Sequence, residues 1–399
     1  MRPRTGGRPR THRPSLWVTG ERISGPVAAQ RVRWDSPGLP TEGVRMGTRT
    51  ETTPTPPRAG RSLSRRHLLL TGAAALVAGT AAACGQGQPS GGGSGSAASP
   101  SGGASGSSSA GLRPVSVAAI PIVDVAPLHL AKDQGFFEEA GLDVSIEATS
   151  GGAIPFPGVS SGQFDFAFGN VVSMMVARSQ GIGLKFFCSG STTTGEPGND
   201  NVALIALEDS GYEDIRDLEG KTLSSNQLAN IGDTACRQAM DKAGGDGGSL
   251  EFIEMAFPDV QAALENGQLD AGIVVEPFVT PALQAGFVAV SWPYAEANPE
   301  LDTGGYFASE DTIEKDPELV RSFRAALVKG LEYAQANPDE VRRITGTYTK
   351  IDPKVLADVK LPRFRAEFDM AAQEELAATA RTYGTIKGEL SVPDMFAEL

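Results

Sequence analysis

The sequence predicts an α/β fold of two similar lobes, with mainly parallel sheets and a helical C terminus. Three observations carry that prediction. From Pro114 onward, short apolar runs alternate with stretches of helical periodicity about ten residues long, the pattern of crossover units. The stretch "NGQLDAGIVVEPF" at 266–278 echoes "SGQFDFAFGN" at 161–170, each with a Gly-Gln turn, an Asp two residues on and an apolar strand. Near the end, Leu319, Phe323, Ala326, Leu327, Gly330 and Ala334 fall on one face of a helix.

In chain order, "PVSVAAI" (114–120) reads as a strand, "VAPLHLAKDQGFFEEAG" as a helix stopped by Gly, and "LDVSIEA" as a second strand. "FDFAFGN" is a third strand, "VVSMMVARSQG" a helix and "LKFFCSG" a fourth strand. "NVALIAL" (201–207) is another strand, followed by a loop, a short helix and a strand from Lys221. "NQLANIGDTACRQAMDKAG" opens as a loop and turns helical near Gly232. The strand "LEFIEM", the helix "DVQAALENG" and the strand "LDAGIVVEP" come next, and the rest reads as helical.

The charge is divided along the chain. Residues 1–83 hold fourteen Arg, no Lys and four acids, a net of +10, whereas 84–399 hold 21 basic and 44 acidic residues, a net of −23. An acidic body excludes nucleic acid and anionic membrane surfaces as partners, since both select positive charge.

Residues 1–61 lack apolar periodicity and predict a disordered segment, or one upstream of the true start, with Met46 an internal candidate. Residues 62–83 have the plan of an export signal: paired Arg65-Arg66, then sixteen weakly apolar residues ending in Ala. That stretch is short for a membrane span of roughly 20 residues. The arginine pair resembles a twin-arginine signal, with Leu68 where Phe is usual. "AAAC" ending at Cys84 resembles a lipobox, in which the Cys thiol is acylated; the alternative is cleavage without a lipid. The 27 residues after Cys84, almost all Gly, Ser, Ala and Pro, predict a flexible tether reaching roughly 30 Å, so that 84–112 joins anchor to body. Cys188 and Cys236 read as buried single thiols, the alternative being a disulfide in an oxidising compartment.

In an open α/β sheet, ligands meet the carboxyl ends of the strands. The candidates there are Asp124; Ser150, Gly151 and Gly152; Gly169 and Asn170; and Thr192. The second lobe adds Asn226, Asn230 and Glu276. Gly151-Gly152 lets backbone amides approach a ligand, or simply makes a turn before Pro155. Asn170 offers a donor and an acceptor to a polar solute, or occupies a left-handed turn. "ANIGDT" puts free amides at a helix start, an anion site unless Asp233 caps it. Glu276, a carboxylate ending a buried strand, needs a partner: a ligand amine or amidine, or else hinge amides or a Lys. With two carboxylates and no Lys or Arg in these loops, a neutral or amine-bearing ligand fits best. Phe156 and Phe278 are candidates to stack on a ring, or plain core. No His pair or Cys cluster suggests a metal, and no cofactor is expected.

"PLHLAKDQGFFEEAGLDV", "SGQFDFAFGN", "DLEGKTL", "ALENGQLDAGIVVEPF" and "ANPDEVRR" occur in an order that resembles extracytoplasmic substrate-binding proteins of ABC importers, in the nitrate/sulfonate/taurine and thiamin-pyrimidine-precursor subgroup. The resemblance spans about 113–350. It implies a type II periplasmic-binding-protein-like fold with two crossover segments: lobe one at 113–206 plus 299–399, lobe two at 207–298. It also implies a small-molecule ligand closed between the lobes and raises Asn226 and Asn230 as ligand contacts. The function so implied is a monomeric, lipid-anchored receptor at the outer face of the cell membrane that serves an ABC permease and its ATPase, not an enzyme. In thiamin-precursor binders a Trp and an Asn follow the first strand, and "PIVDVAPL" has neither. The rivals are a pyrimidine-synthase-like enzyme on the same fold, for which only His129 is at hand, and a ligand-sensing lipoprotein without a transporter. Cys84→Ala is expected to release the protein into the medium on cell fractionation; retention with the membrane would contradict the lipid anchor.

Overall fold

The structure, a computed structural model, describes residues 111–399. The expectations for Arg65, Arg66, Cys84 and the tether up to 110 lie outside the described residues. Among the described residues, eleven strands form two sheets. The first contains β1 (Arg113–Ala119), β2 (Leu142–Ala148), β3 (Phe166–Asn170) and β4 (Leu184–Thr192). The second contains β5 (Val202–Leu207), β6 (Thr222–Ser225), β7 (Glu251–Glu254), β8 (Ala271–Val275) and β9 (Phe287–Ser291). The chain then returns to the first sheet with β10 (Asp302–Ser309) and β11 (Arg363–Phe364).

The sheet orders are β11-β4-β10-β3-β1-β2 and β7-β6-β8-β5-β9. Read from the other edge, the second repeats the first: β9-β5-β8-β6-β7 matches β4-β10-β3-β1-β2. The repeated Gly-Gln-x-Asp motif shows the same device in both. Asp165 accepts from the Ser116 N–H of β1 and donates its own N–H to the Ser116 carbonyl. Asp270 does the same with Thr222 of β6. Each carboxylate fixes the start of its strand against the neighbouring parallel strand, setting register where a slip would turn every side chain over.

Three expectations change. The sheets are mixed, because β5 and β10 each run antiparallel between two neighbours while β1–β2, β1–β3, β6–β7 and β6–β8 are parallel. The first crossover falls at 193–201, so β5 belongs to the second lobe and the expected boundary at 206/207 comes too late; the second crossover occupies 292–301. Finally, β9 and β10 stand where helix was expected. "DTGGYFAS" reads poorly as a strand, yet β10 is central. A Cβ on Gly304 would lie 2.7 Å from the Gly169 carbonyl oxygen and one on Gly305 2.5 Å from that of Cys188, so only Gly fits between these crowded neighbours.

The long helix Pro317–Ala336 closes the first lobe. Asp316 caps it by accepting from the Leu319 N–H, and Pro317 supplies a preset φ at its first position. Its buried stripe brings Phe323 against Phe137, Phe166 and Phe187, at ring separations of 4.9, 4.4 and 5.9 Å. Cys188 and Cys236 are buried free thiols. No helix among the described residues is long and apolar enough to cross a membrane. Phe323→Ala is expected to destabilise the protein by about 3–5 kcal/mol, read from urea unfolding; a loss below about 1 kcal/mol would show that the aromatic cluster relaxes to fill the space.

Candidate functional site

β1, β3, β6 and β8 run parallel within their sheets and end at the seam between the lobes, where a cavity of about 40 Å³ lies. Ile120, Ile122, Asp124, Gly152, Phe168, Asn170 and Thr303 line it from the first lobe. Val202, Asn226, Asn230, Ile231, Phe257 and Val275 line it from the second, and Tyr294 from the second crossover. The lining thus has one carboxylate and no Lys, Arg or His.

Asp124 is 2 % exposed. Its carboxylate accepts from Ser191 Oγ at 2.6 Å, Thr303 Oγ1 at 3.0 Å and Asn201 Nδ2 at 3.3 Å. No ion pair to it occurs among the described residues. Burial therefore raises its pKa above the ordinary 3.8, and the Ser191 and Thr303 hydroxyls oppose the shift in part.

Two helices start at the cavity, each capped by an Asn. Asn170 caps Val171–Ser179: its Oδ1 accepts from the Ser173 N–H at 2.8 Å, and its Nδ2 donates to Ser173 Oγ. Its φ of −79° is extended, which removes the left-handed alternative. Asn230 caps Ile231–Lys242, with Asp233 completing the capping box by accepting from the amides of Ala229 and Asn230. At this helix start it is Asn230, not Asp233, that caps: its Oδ1 accepts from the Gly232 N–H at 3.4 Å, while the Asp233 carboxylate takes the two amides just before the helix. Asn230 Nδ2 is buried with no partner within the protein, a donor left over at the cavity.

Of the residues picked from the sequence, Asp124, Gly152, Asn170, Asn226 and Asn230 come together on the lining. The other five do not. Ser150 is exposed. Gly151 packs beneath the Gln227 side chain. Gly169 faces the core, where Phe156 and Phe307 leave no room for a Cβ. Thr192 donates to buried Asp302, while its neighbour Ser191, on the opposite face of β4, is the one that meets Asp124.

Glu276 is the largest correction. It is 0 % exposed and accepts from the Thr280 N–H and hydroxyl and from the Lys360 N–H at 3.0 Å. Backbone amides and a hydroxyl are its partners, and the cavity is not. The reason is strand alternation. Counting from the paired acids Asp165 and Asp270, the residue equivalent to Asn170 is Val275, which does line the cavity. Glu276 lies one position further and points to the other side.

The aromatic candidates fail similarly. Phe156 stacks on Phe307 in the core, and Phe278 packs near Phe257. The aromatic residues on the lining are Phe168, Phe257 and Tyr294. Phe168 was legible by counting back two from Asn170; Tyr294 and Thr303 had no local signal, because both come from the second crossover and the strand after it. Among the described residues no cluster of His, Cys, Asp or Glu could hold a metal ion.

A family model described as "NMT1/THI5 like" matches residues 122–341. A formylaminopyrimidine-binding protein of Halalkalibacterium halodurans is 26 % identical over 222 residues, covering 54 % of this chain and 64 % of that one. A 4-amino-5-hydroxymethyl-2-methylpyrimidine phosphate synthase of Saccharomyces cerevisiae is 23 % identical over 225 residues, covering 53 % of this chain and 64 % of that one. The chain therefore spans just under two thirds of the length of both relatives. The periplasmic aliphatic sulphonate binding protein of Escherichia coli superposes with a TM-score of 0.61 at 14 % identity, over 72 % of this chain and 92 % of that one. The fold is that of the periplasmic binding proteins.

Because the Asp124 carboxyl takes up its proton more readily folded than unfolded, its ionised form lowers stability at neutral pH. That cost is relieved as the pH falls through the folded pKa, and below 3.8 the contribution is constant. Asp124→Asn is expected to be at least as stable as wild type at pH 7, with the gap narrowing as the pH falls toward 4. Thermal melts across that range would contradict this if wild type lost ground to the variant on acidification.

Proposed function

The chain belongs to the NMT1/THI5-like family, and on that premise we propose that it is an extracytoplasmic solute-binding receptor delivering a small polar organic molecule to an ABC permease. The observation that carries the reading is Asp124, a carboxylate buried on the interlobe cavity without a cation, facing a lining that also holds the unpartnered Asn230 Nδ2. A solute with an amino or amidine group would supply the missing partner, and an acceptor on the same solute would accept a hydrogen bond from Asn230 Nδ2.

A cavity of about 40 Å³ has room for roughly three waters, so the lobes part to admit such a molecule and close on it, the hinge motion of two-lobed receptors. The lining favours a pyrimidine-like amine, as in the name of the formylaminopyrimidine-binding relative, over a sulphonate. An anion would face Asp124, and both helix starts are already capped. Phe168, Phe257 and Tyr294 offer faces for a ring. Export through the signal at 62–83, a lipid on Cys84 and the tether belong to the same reading, as do monomeric action and an absence of catalysis.

The synthase relative supports a second reading, an enzyme on this fold. Against it, His129, the one histidine among the described residues, stacks on Tyr348 at 3.9 Å, off the cavity lining. Burial lowers its pKa to about 4.

Native mass spectrometry of the freshly purified full chain is expected to show a co-purified solute. In calorimetry, formylaminopyrimidine is expected to bind and an alkanesulfonate to bind weakly or not at all, with Asp124→Asn weakening the former at least tenfold. Tight alkanesulfonate binding untouched by Asp124→Asn would overturn the assignment, and turnover of the pyrimidine would favour the enzyme.

A further inference from the structure

We infer that Gln227 is a clasp, a positioning residue that fastens the mouth of the cleft and sets how readily the lobes part; the inference rests on the receptor reading above. Gln227 follows the lining residue Asn226 in the loop after β6. Its Oε1 accepts from the Ala153 N–H at 2.7 Å, joining the second lobe to a first-lobe loop 74 residues away in sequence. Beneath it, a Cβ on Gly151 would lie 2.8 Å from Gln227 Cδ, so the side-chain amide lies directly on the Gly151 backbone and any larger residue there would lift it off.

The loop that presents Gln227 is held in an unusual posture. Ala229, with φ of 54°, is the one non-glycine residue at positive φ among the described residues. Such a conformation persists only where the surroundings over-determine it. Here the Ala229 N–H is held by Asp233 Oδ2 at 2.9 Å and the Leu228 N–H reaches Glu254 Oε2 at 3.4 Å. The loop is thereby tied to its own lobe, leaving Gln227 to reach across.

This contact differs in kind from Val123 N–H to the Glu276 carbonyl, one of several bonds that join the lobes, Lys360 N–H to Glu276, Gln284 to Asp358 and Tyr383 to Asp241 being others of note. Glu276 also donates its N–H to the carbonyl of Asn201, at the end of the first crossover, so that contact sits at the hinge. Gln227 and Ala153 have no such covalent neighbour, and parting the lobes separates them. Ile154 and Leu228, each 48 % exposed, stand beside the two partners, so the clasp closes at the surface and not within the core.

The test measures lobe separation in protein stripped of any co-purified solute by unfolding and refolding, so its failure is separate from any failure of the receptor reading. Spin labels at Ser161→Cys and Gln268→Cys, both exposed and on different lobes, are placed in the full chain carrying Cys84→Ser; Cys188 and Cys236 are buried. Pulsed dipolar spectroscopy then gives the open-to-closed ratio. Gln227→Ala is expected to raise that ratio roughly three- to tenfold, the net worth of one such hydrogen bond. Gly151→Ala is expected to do the same, and the double variant no more than either alone, since both break one contact. Gln227→Glu keeps an acceptor oxygen and is expected to keep the wild-type ratio, a rescue that mere loop damage would not show. An unchanged ratio in Gln227→Ala, or additive effects of the two substitutions, would overturn the inference.

Discussion

A carboxylate buried without a cation sets the terms for the seam between the lobes. Asp124 must have hydrogen-bond donors on every approach from the protein, because desolvating a charge costs several kcal/mol unless polar partners replace water. The structure meets that demand from three separate parts of the chain: Ser191 of β4, Thr303 of β10 and Asn201 of the first crossover. These three are the two strands and the connector that must be correctly placed for the lobes to face one another. One side chain therefore couples the packing of the first sheet to the geometry of the hinge. Its counterpart, Glu276, is as deeply buried but has its needs met by Thr280 and the Lys360 amide, so it holds the lobes together and has nothing to offer a solute.

The architecture was legible where the sequence repeats itself. The two Gly-Gln-x-Asp segments share a turn and a role, each Asp binding the backbone of the adjacent parallel strand. Two such devices about a hundred residues apart are enough to announce two similar lobes. The motif also fixed where the cavity lies, since the strands it starts run to the seam. Half of the chosen site residues line the cavity: Asn170 ends a strand that the motif starts, and the other four follow β1, β2 and β6.

What the sequence concealed follows from alternation and from glycine. Period-2 strands place neighbouring residues on opposite faces, so naming the last polar residue of a strand is a guess between two sides. Glu276 for Val275 and Thr192 for Ser191 are the same one-residue displacement. β10 was hidden by Gly304-Gly305, residues that read as a loop but are needed where the backbones of β3 and β4 crowd in. Because β10 carries Thr303, missing the strand meant missing a partner of Asp124. Local signals cannot reveal a strand whose composition is dictated by neighbours more than a hundred residues away.

Under the receptor function proposed above, the division of chemistry between the lobes links binding to motion. The acceptor, Asp124, belongs to the first lobe; the unpartnered donor, Asn230 Nδ2, belongs to the second. A solute held by only one lobe satisfies only one of them. A ligand can shift an equilibrium between open and closed arrangements only by its difference in affinity for the two, and here that difference is built in. Each helix start at the cavity already carries an Asn cap, so part of its donor capacity is spent within its own lobe. Closure then becomes the step at which the second polar group is satisfied, so the closed form reports that a complete solute, and not a fragment with one matching end, has been captured.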